Sequence, residues 1–255
     1  MRFRPCIDLH HGKVKQIVGS TLTDAEETSP VTNFETDRPP SWFAGIYRSD
    51  GLQGGHVVML GPGNEAAAKD ALAVYPGGLQ VGGGITADNA RSFLDAGASH
   101  VIVTSFVFSG GAVQWEKLGR LEKTIGTKKL VLDLSCRKTD GLYVIATDRW
   151  QSLSGIALTP ELVGRLSACC DEFLVHAVDV EGKREGIDEE LVRLLAEWSP
   201  IPATYAGGIR SISDLERVRI TGKDRIDATI GSALDLFGGT LAYRDVVAWH
   251  RRGSA

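Results

Sequence analysis

The sequence has no long hydrophobic run and no excess of positive charge. These two absences argue against a membrane-spanning protein and against a nucleic-acid-binding protein. No apolar stretch approaches the roughly 20 residues that a membrane-spanning helix needs, and the chain does not open on an apolar signal region. A formal net charge of −4 at pH 7 leaves no basic footprint for nucleic acid. We therefore expect a cytoplasmic protein with no membrane partner and no nucleic-acid partner.

Cysteine and histidine are also few, and they lack the spacing of metal ligands. The four cysteines show no C-x-x-C spacing, so neither a disulfide framework nor a zinc site is predicted: Cys6, Cys136, Cys169 and Cys170. The six histidines show no H-x-x-H spacing. The segment Gly61–Ala66 matches a dinucleotide fingerprint, but it has a proline inside the turn and lacks the acidic residue expected further on. We expect no metal and no cofactor.

Short strand-like runs alternate with helical patterns along the whole chain. Most of the runs are continuously apolar, as in parallel strands that helices cover on both faces. The predicted strands are Phe3–Leu9, His56–Leu60, Leu79–Val81, His100–Thr104, Leu130–Leu134, Phe173–Ala177, Ala203–Tyr205 and Ala228–Ile230. The predicted helices are Trp42–Asp50, Glu65–Tyr75, Ala87–Ala96, Val113–Ile125, Pro160–Cys170, Asp188–Trp198, Ser213–Ile220 and Thr240–Arg251.

Eight strand–helix units predict an α/β fold, a single (β/α)8 TIM barrel over residues 1–255. A doubly wound open sheet is the alternative. The polar stretch 21–41 contains three prolines and is predicted to be a long loop after the first strand, acting either as a lid or as a surface insertion.

An internal repeat divides this predicted barrel into two halves. An apolar run carrying Asp8 recurs around Asp133, and the di-glycine at Gly84 recurs at Gly208. Both features return after about half the chain, in the same order. We interpret this as two half-barrels, approximately 1–125 and 126–255.

Glycines and small hydroxyl residues at strand ends form two similar groups. Turns without Cβ atoms let backbone N–H groups approach an anion, and a following helix N-terminus adds a favourable dipole. Barrels often bind phosphate in such loops, although the glycines can also serve only to make the turns tight. The predicted phosphate-binding residues are Gly83, Gly84, Ser105, Gly207, Gly208, Gly231 and Ser232.

Two aspartates are the candidate catalytic residues. Asp8 and Asp133 each lie near the carboxyl end of an apolar strand, which is the catalytic face of a barrel. In two related half-barrels, the first and fifth strands lie opposite each other. The two carboxylates would then flank a substrate, one as base and the other as acid. A carboxylate that only caps a loop is the other interpretation.

With these motifs, the chain resembles the ProFAR isomerase family of histidine biosynthesis, in its eukaryotic-type branch. The segments that carry the resemblance are Pro5–Leu9, Val81–Ile85, Val103–Ser105, Ala206–Ile209 and Ile230–Ser232. The resemblance implies an Amadori-type isomerisation of a small, doubly phosphorylated substrate, without a cofactor. It also implies that Asp133 protonates the ring oxygen, that Asp8 takes the proton from C2, and that Trp150 packs over the substrate.

Some positions depart from the bacterial pattern of this family: Met59, Ala177 and the segment Val180–Lys183, which contains Glu181. Within the same fold, the chain also resembles the cyclase subunit of imidazole glycerol phosphate synthase. Met59 disfavours the cyclase, whose members usually carry an acidic residue on the second strand. A barrel that binds phosphorylated ligands without catalysis stays open as a third hypothesis. We expect a monomer in each case.

Overall fold

The alternating pattern produces a closed barrel of parallel strands surrounded by helices. The computed structural model describes residues 1–17, 32–147, 150–183 and 185–253. The eight barrel strands, in order around the barrel, are β1 (Phe3–His10), β4 (Gly55–Met59), β5 (Leu79–Gly82), β6 (Val101–Val103), β9 (Leu130–Asp133), β13 (Glu172–His176), β14 (Ala203–Ala206) and β15 (Ile226–Ile230). Parallel pairing of β15 with β1 closes the ring. The (β/α)8 TIM barrel predicted from the sequence is therefore confirmed.

The helices lie between these strands along the chain. They are α1 (Pro40–Ser49), α2 (Glu65–Val74), α3 (Ala90–Asp95), α4 (Trp115–Ile125), α5 (Pro160–Ser167), α6 (Glu189–Trp198), α7 (Ile212–Thr221) and α8 (Tyr243–Gly253). The starts of α5, α6 and α7 are fixed by Thr159, Asp188 and Ser211, whose side chains each accept a backbone N–H of the first turn.

Antiparallel strands in three regions extend the barrel beyond the eight predicted strand–helix units. β2 (Lys13–Ile17) and β3 (Thr32–Thr36) follow β1, and β7 (Phe108–Ser109) pairs with β8 (Ala112–Val113). β10 (Cys136–Thr139), β11 (Leu142–Thr147) and β12 (Ser152–Ala157) form a separate antiparallel sheet after β9.

Two-residue turns with positive φ at both positions connect β1 to β2, β7 to β8 and β10 to β11. They are His11-Gly12, Gly110-Gly111 and Asp140-Gly141. Such turns suit the right-handed twist of a hairpin, and Gly or Asp tolerates the left-handed backbone.

The prediction of one long loop over 21–41 is wrong in part. Residues 32–36 form β3, which pairs with β2, and α1 begins at Pro40. Alternation of half-buried and exposed residues in β3 gives it one face against the protein, and proline suits the first turn of a helix. The rest of the predicted loop, up to residue 31, lies outside the described residues, so its role as a lid stays a prediction.

The barrel interior holds buried ion pairs near one end and an open cavity near the other. Near the amino ends of the strands, Arg4 of β1 reaches across to Glu172 of β13 at 2.9 Å and to Asp227 of β15 at 2.8 Å. Near the carboxyl ends, a cavity of about 550 Å³ opens between the strands. Cys6 lines this cavity two residues beyond Arg4, so the buried ion pairs lie beneath the cavity floor.

Candidate active site

Every candidate residue drawn from the sequence lines the cavity at the carboxyl ends of the strands. The two acids, the stacking residue and the predicted phosphate-binding residues all border it: Asp8, Asp133, Trp150, Gly83, Gly84, Ser105, Gly207, Gly208, Gly231 and Ser232. β1 and β9 are four places apart in the ring of eight strands, so the two aspartates face the cavity from opposite sides.

Asp8 is held by a residue of the first hairpin. The amide of Gln16, on β2, donates a hydrogen bond of 2.6 Å from Nε2 to Oδ2 of Asp8. Removal from water raises the pKa of Asp8 to about 7, while the bond from Gln16 works in the opposite direction. Asp8 is therefore poised to gain or lose a proton near neutral pH.

Asp133 is surrounded by donors. Thr104 Oγ1 donates to Oδ2 over 3.1 Å, and the backbone N–H of Ser135 donates to Oδ1 over 2.8 Å. The Ser135 hydroxyl also donates to Oδ1. An ionised carboxylate, which only accepts, suits three donors. Asp133 is thus fixed in orientation, with only 9% of its surface exposed.

A third carboxyl group lies in the same cavity. Glu181 follows β13, and burial together with the negative charge of Asp8 raises its pKa to about 7. In the sequence, Glu181 stands out only as a departure from the bacterial pattern, and it is not among the predicted site residues. An acid followed by glycine just after a barrel strand was the available signal.

Two histidines and Trp150 form an aromatic wall. The ring centroid of His176 lies 5.0 Å from that of Trp150 and 5.9 Å from that of His56. Burial lowers the pKa of both histidines, that of His56 to about 3, so both rings are neutral near pH 7. Trp150 has a φ of 66°, a left-handed backbone conformation that is uncommon for a bulky residue and is often found at functional sites.

The two di-glycine turns have similar backbone conformations. Gly83 and Gly84 have φ of 94° and 69°, and Gly207 and Gly208 have φ of 126° and 70°. A Cβ at Gly83 or Gly208 would collide with a neighbouring backbone oxygen, so glycine is required at both positions. The turns therefore need glycine for their shape, whether or not they bind an anion.

The helix that follows the first of these turns starts later than predicted. α3 begins at Ala90 rather than Ala87. The Asn89 side chain accepts the N–H of Thr86 at 2.8 Å and donates to the carbonyl of Gly84 at 3.0 Å, which holds the intervening residues in a turn.

Among the described residues, no three His, Cys, Asp or Glu side chains form a group that could hold a metal ion. No helix within the described ranges is long and apolar enough to cross a membrane.

The sequence matches known proteins over nearly its whole length. The family model described as histidine biosynthesis protein matches residues 2–241. An isomerase of Medicago truncatula, named as chloroplastic, is 58% identical over 99% of this chain and 82% of its own length. An isomerase of Neurospora crassa is 49% identical over 98% of this chain and 99% of its own length. That of Saccharomyces cerevisiae is 45% identical over 98% of each chain.

The names of these three relatives describe the same activity. Each is an isomerase of an imidazole-4-carboxamide that carries a 5-phosphoribosyl and a 5-phosphoribosylamino group. The family resemblance seen in the sequence motifs is therefore confirmed. On the strength of a match that spans almost the full chain, this protein belongs to the histidine biosynthesis protein family.

Proposed function

We propose that this protein is an isomerase that converts ProFAR, a substrate with two phosphoribosyl groups, from an aminoaldose to an aminoketose by an Amadori rearrangement. One observation carries the proposal: Asp8 and Asp133 face one cavity from opposite strands, between two glycine turns of similar shape. The names of the relatives support the substrate and the reaction class.

Each glycine turn would bind one phosphate of the substrate. The turns follow β5 and β14, which are four places apart in the barrel and so lie on opposite sides of the mouth. Ser105 and Ser232 lie beside the turns and would add hydroxyl donors. A substrate with a phosphate at each end would span the mouth, with its reacting ribose over the two aspartates.

The chemistry needs one acid and one base. An acid first protonates the ring oxygen of the ribose, which opens the ring to an imine at C1. A base then removes the proton from C2 to give an enolamine. The enolamine takes a proton at C1 while the C2 hydroxyl releases its proton and becomes a ketone. C1 is reduced and C2 is oxidised within one molecule, so the reaction balances without a cofactor.

Asp8 is suited to act as the base at C2, because its pKa of about 7 matches the operating pH. Asp133 remains our proposed acid at the ring oxygen. Because its three donors suit the ionised form, it must take up a proton when the substrate binds, before the ring opens. Glu181 is a second group able to hold a proton near pH 7, and it lies on the Asp8 side of the site. We propose that Glu181 exchanges protons with Asp8 during turnover. Trp150 would cover the substrate by packing beside His176.

Incubation of the pure protein with ProFAR tests the proposal. We expect an absorbance change without added ammonia. A change that requires ammonia would instead identify a cyclase, and tight binding without turnover would identify a binding barrel. A monomeric state and a cytoplasmic location also stay proposals, and the Medicago relative is named as chloroplastic.

A further inference from the structure

The hydroxyl of Ser135 connects Asp133 to His176, a histidine with no role in the proton transfers proposed above. Ser135 is completely buried, and its Oγ donates to Oδ1 of Asp133. The same oxygen lies 2.9 Å from Nδ1 of His176 and accepts the backbone N–H of His176 over 3.0 Å. One side chain from β13 and one from β9 therefore meet at a single hydroxyl group.

The hydrogen bonds made by the Ser135 hydroxyl determine which ring nitrogen of His176 carries the proton. A serine hydroxyl has one proton to donate and two lone pairs. While Asp133 is ionised, this proton goes to Asp133, and the backbone N–H and Nδ1 of His176 then both donate to the Ser135 oxygen. Nδ1 of His176 then carries a proton, and the neutral ring has its lone pair on Nε2.

The surroundings of His176 agree with a neutral ring. Burial lowers its pKa, against an opposite effect of the Asp133 charge. The neighbouring ring of His56 is itself neutral near pH 7 because burial lowers its pKa to about 3. Because Nδ1 is occupied by Ser135, Nε2 is the ring nitrogen left to meet a substrate in the cavity that His176 lines.

We propose that Ser135 is a positioning residue for Asp133, and that it fixes His176 as the Nδ1–H tautomer so that Nε2 accepts a hydrogen bond from a substrate hydroxyl. The inference rests on the proposed isomerase function for its catalytic part. It gives the one buried hydroxyl of Ser135 two tasks: orienting the carboxylate of Asp133 and fixing the tautomer of His176 that meets the substrate.

The tautomer can be measured on the free protein, with no substrate present. In neutral histidine, protonated and unprotonated ring nitrogens have well-separated 15N resonances, and the loss of one signal set in His176→Gln assigns this residue. We expect Nδ1–H in the unaltered protein and a shift toward Nε2–H in Ser135→Ala. An Nε2–H tautomer in the unaltered protein would overturn the proposal, whether or not ProFAR is the substrate.

Measurements of turnover test the role of Ser135 in positioning Asp133. We expect Ser135→Ala to lower kcat by about tenfold or more, the effect of one lost hydrogen bond to a charged group, with a smaller change in KM. Ser199→Ala is the matched control, since Ser199 is also buried but donates to the carbonyl of Ile201, away from the cavity. Unchanged kcat in Ser135→Ala would overturn the positioning role while leaving the isomerase proposal intact.

Two substitutions of His176 distinguish the role of Nδ1 from that of Nε2. His176→Asn keeps an N–H donor near the place of Nδ1, whereas His176→Leu keeps none. We expect the asparagine variant to retain more kcat than the leucine variant, and both to show a raised KM because the Nε2 acceptor is gone. Equal kcat in the two variants would contradict the proposal, provided both unfold at similar denaturant concentrations.

Discussion

The amide of Gln16 lies 2.6 Å from the carboxylate of Asp8 and is its one side-chain hydrogen-bond donor among the described residues. Gln16 is neutral, so it favours the ionised form of Asp8 less than a cation would. The first hairpin thus helps to set the pH at which the proposed base works.

Replacement of Gln16 by leucine should raise the pKa of Asp8 above its present value of about 7. A base must be ionised, so the acid limb of kcat/KM should move to higher pH, by about one unit or more. The pH–rate profile measures this shift. Gln114→Leu is the control, because Gln114 donates to the Ser109 carbonyl outside the cavity, and a matching shift there would contradict the assignment.

Asp8→Asn and Asp133→Asn should each lower kcat by about two or more orders of magnitude, because each removes a proposed acid or base. Substrate affinity should change much less. Steady-state kinetics with a binding measurement separates the two quantities. The exposed Asp37→Asn is the control. Near-normal kcat in either active-site variant would rule out the role proposed for that residue.

Glu181→Gln removes a negative charge that interacts with Asp8. The pKa of Asp8 should fall, because the interaction between two carboxylates disfavours ionisation of both. We therefore expect the acid limb of kcat/KM to move to lower pH. Glu185→Gln, an exposed neighbour in the chain, should leave the profile in place. A profile that Glu181→Gln does not alter would remove Glu181 from the proposed proton exchange.

Trp150→Ala should lower kcat/KM for ProFAR by about tenfold, comparable to the loss of an aromatic stacking contact with a base. Trp115→Ala is the control, since Trp115 is stacked by Arg165 and does not border the cavity. If Trp150→Ala and Trp115→Ala showed the same kinetics, the covering role of Trp150 would be wrong.

Arg4→Met should destabilise the fold by about 3–5 kcal/mol, because it leaves Glu172 buried without a cation and Asp227 with only the exposed Arg2. Arg2→Met should cost less than about 1 kcal/mol, because Arg2 binds the same Asp227 from an exposed position. Chemical denaturation gives both free energies of unfolding. Similar costs for the two variants would show that the buried ion pairs matter little.

The barrel could be predicted from the sequence because parallel strands covered on both faces read as apolar runs. All eight predicted strands and all eight predicted helices are present, with ends shifted by a few residues. The hairpins were missed although Asp140-Gly141 is a strong two-residue turn signal. That signal lies between the predicted strand Leu130–Leu134 and the predicted helix Pro160–Cys170, where the barrel pattern leads one to expect only a loop.

The strand-end acids and glycines could be identified because they interrupt apolar runs. The hydrogen-bond partners of these residues could not be identified from the sequence. Gln16 contacts Asp8 only because β2 folds back along β1, and Ser135 meets His176 only where two strands adjoin. Such contacts depend on register and side-chain direction, which a single sequence does not specify. The half-barrel repeat and the catalytic roles of the site residues stay predictions.

The buried ion pairs of Arg4 fill the barrel interior beneath the cavity. In the proposed reaction, substrate and product would therefore enter and leave at the carboxyl ends of the strands. A bound substrate that spans the mouth of the cavity from one glycine turn to the other would itself block the access of water. Side reactions of the substrate with solvent would then be reduced by the substrate's own position.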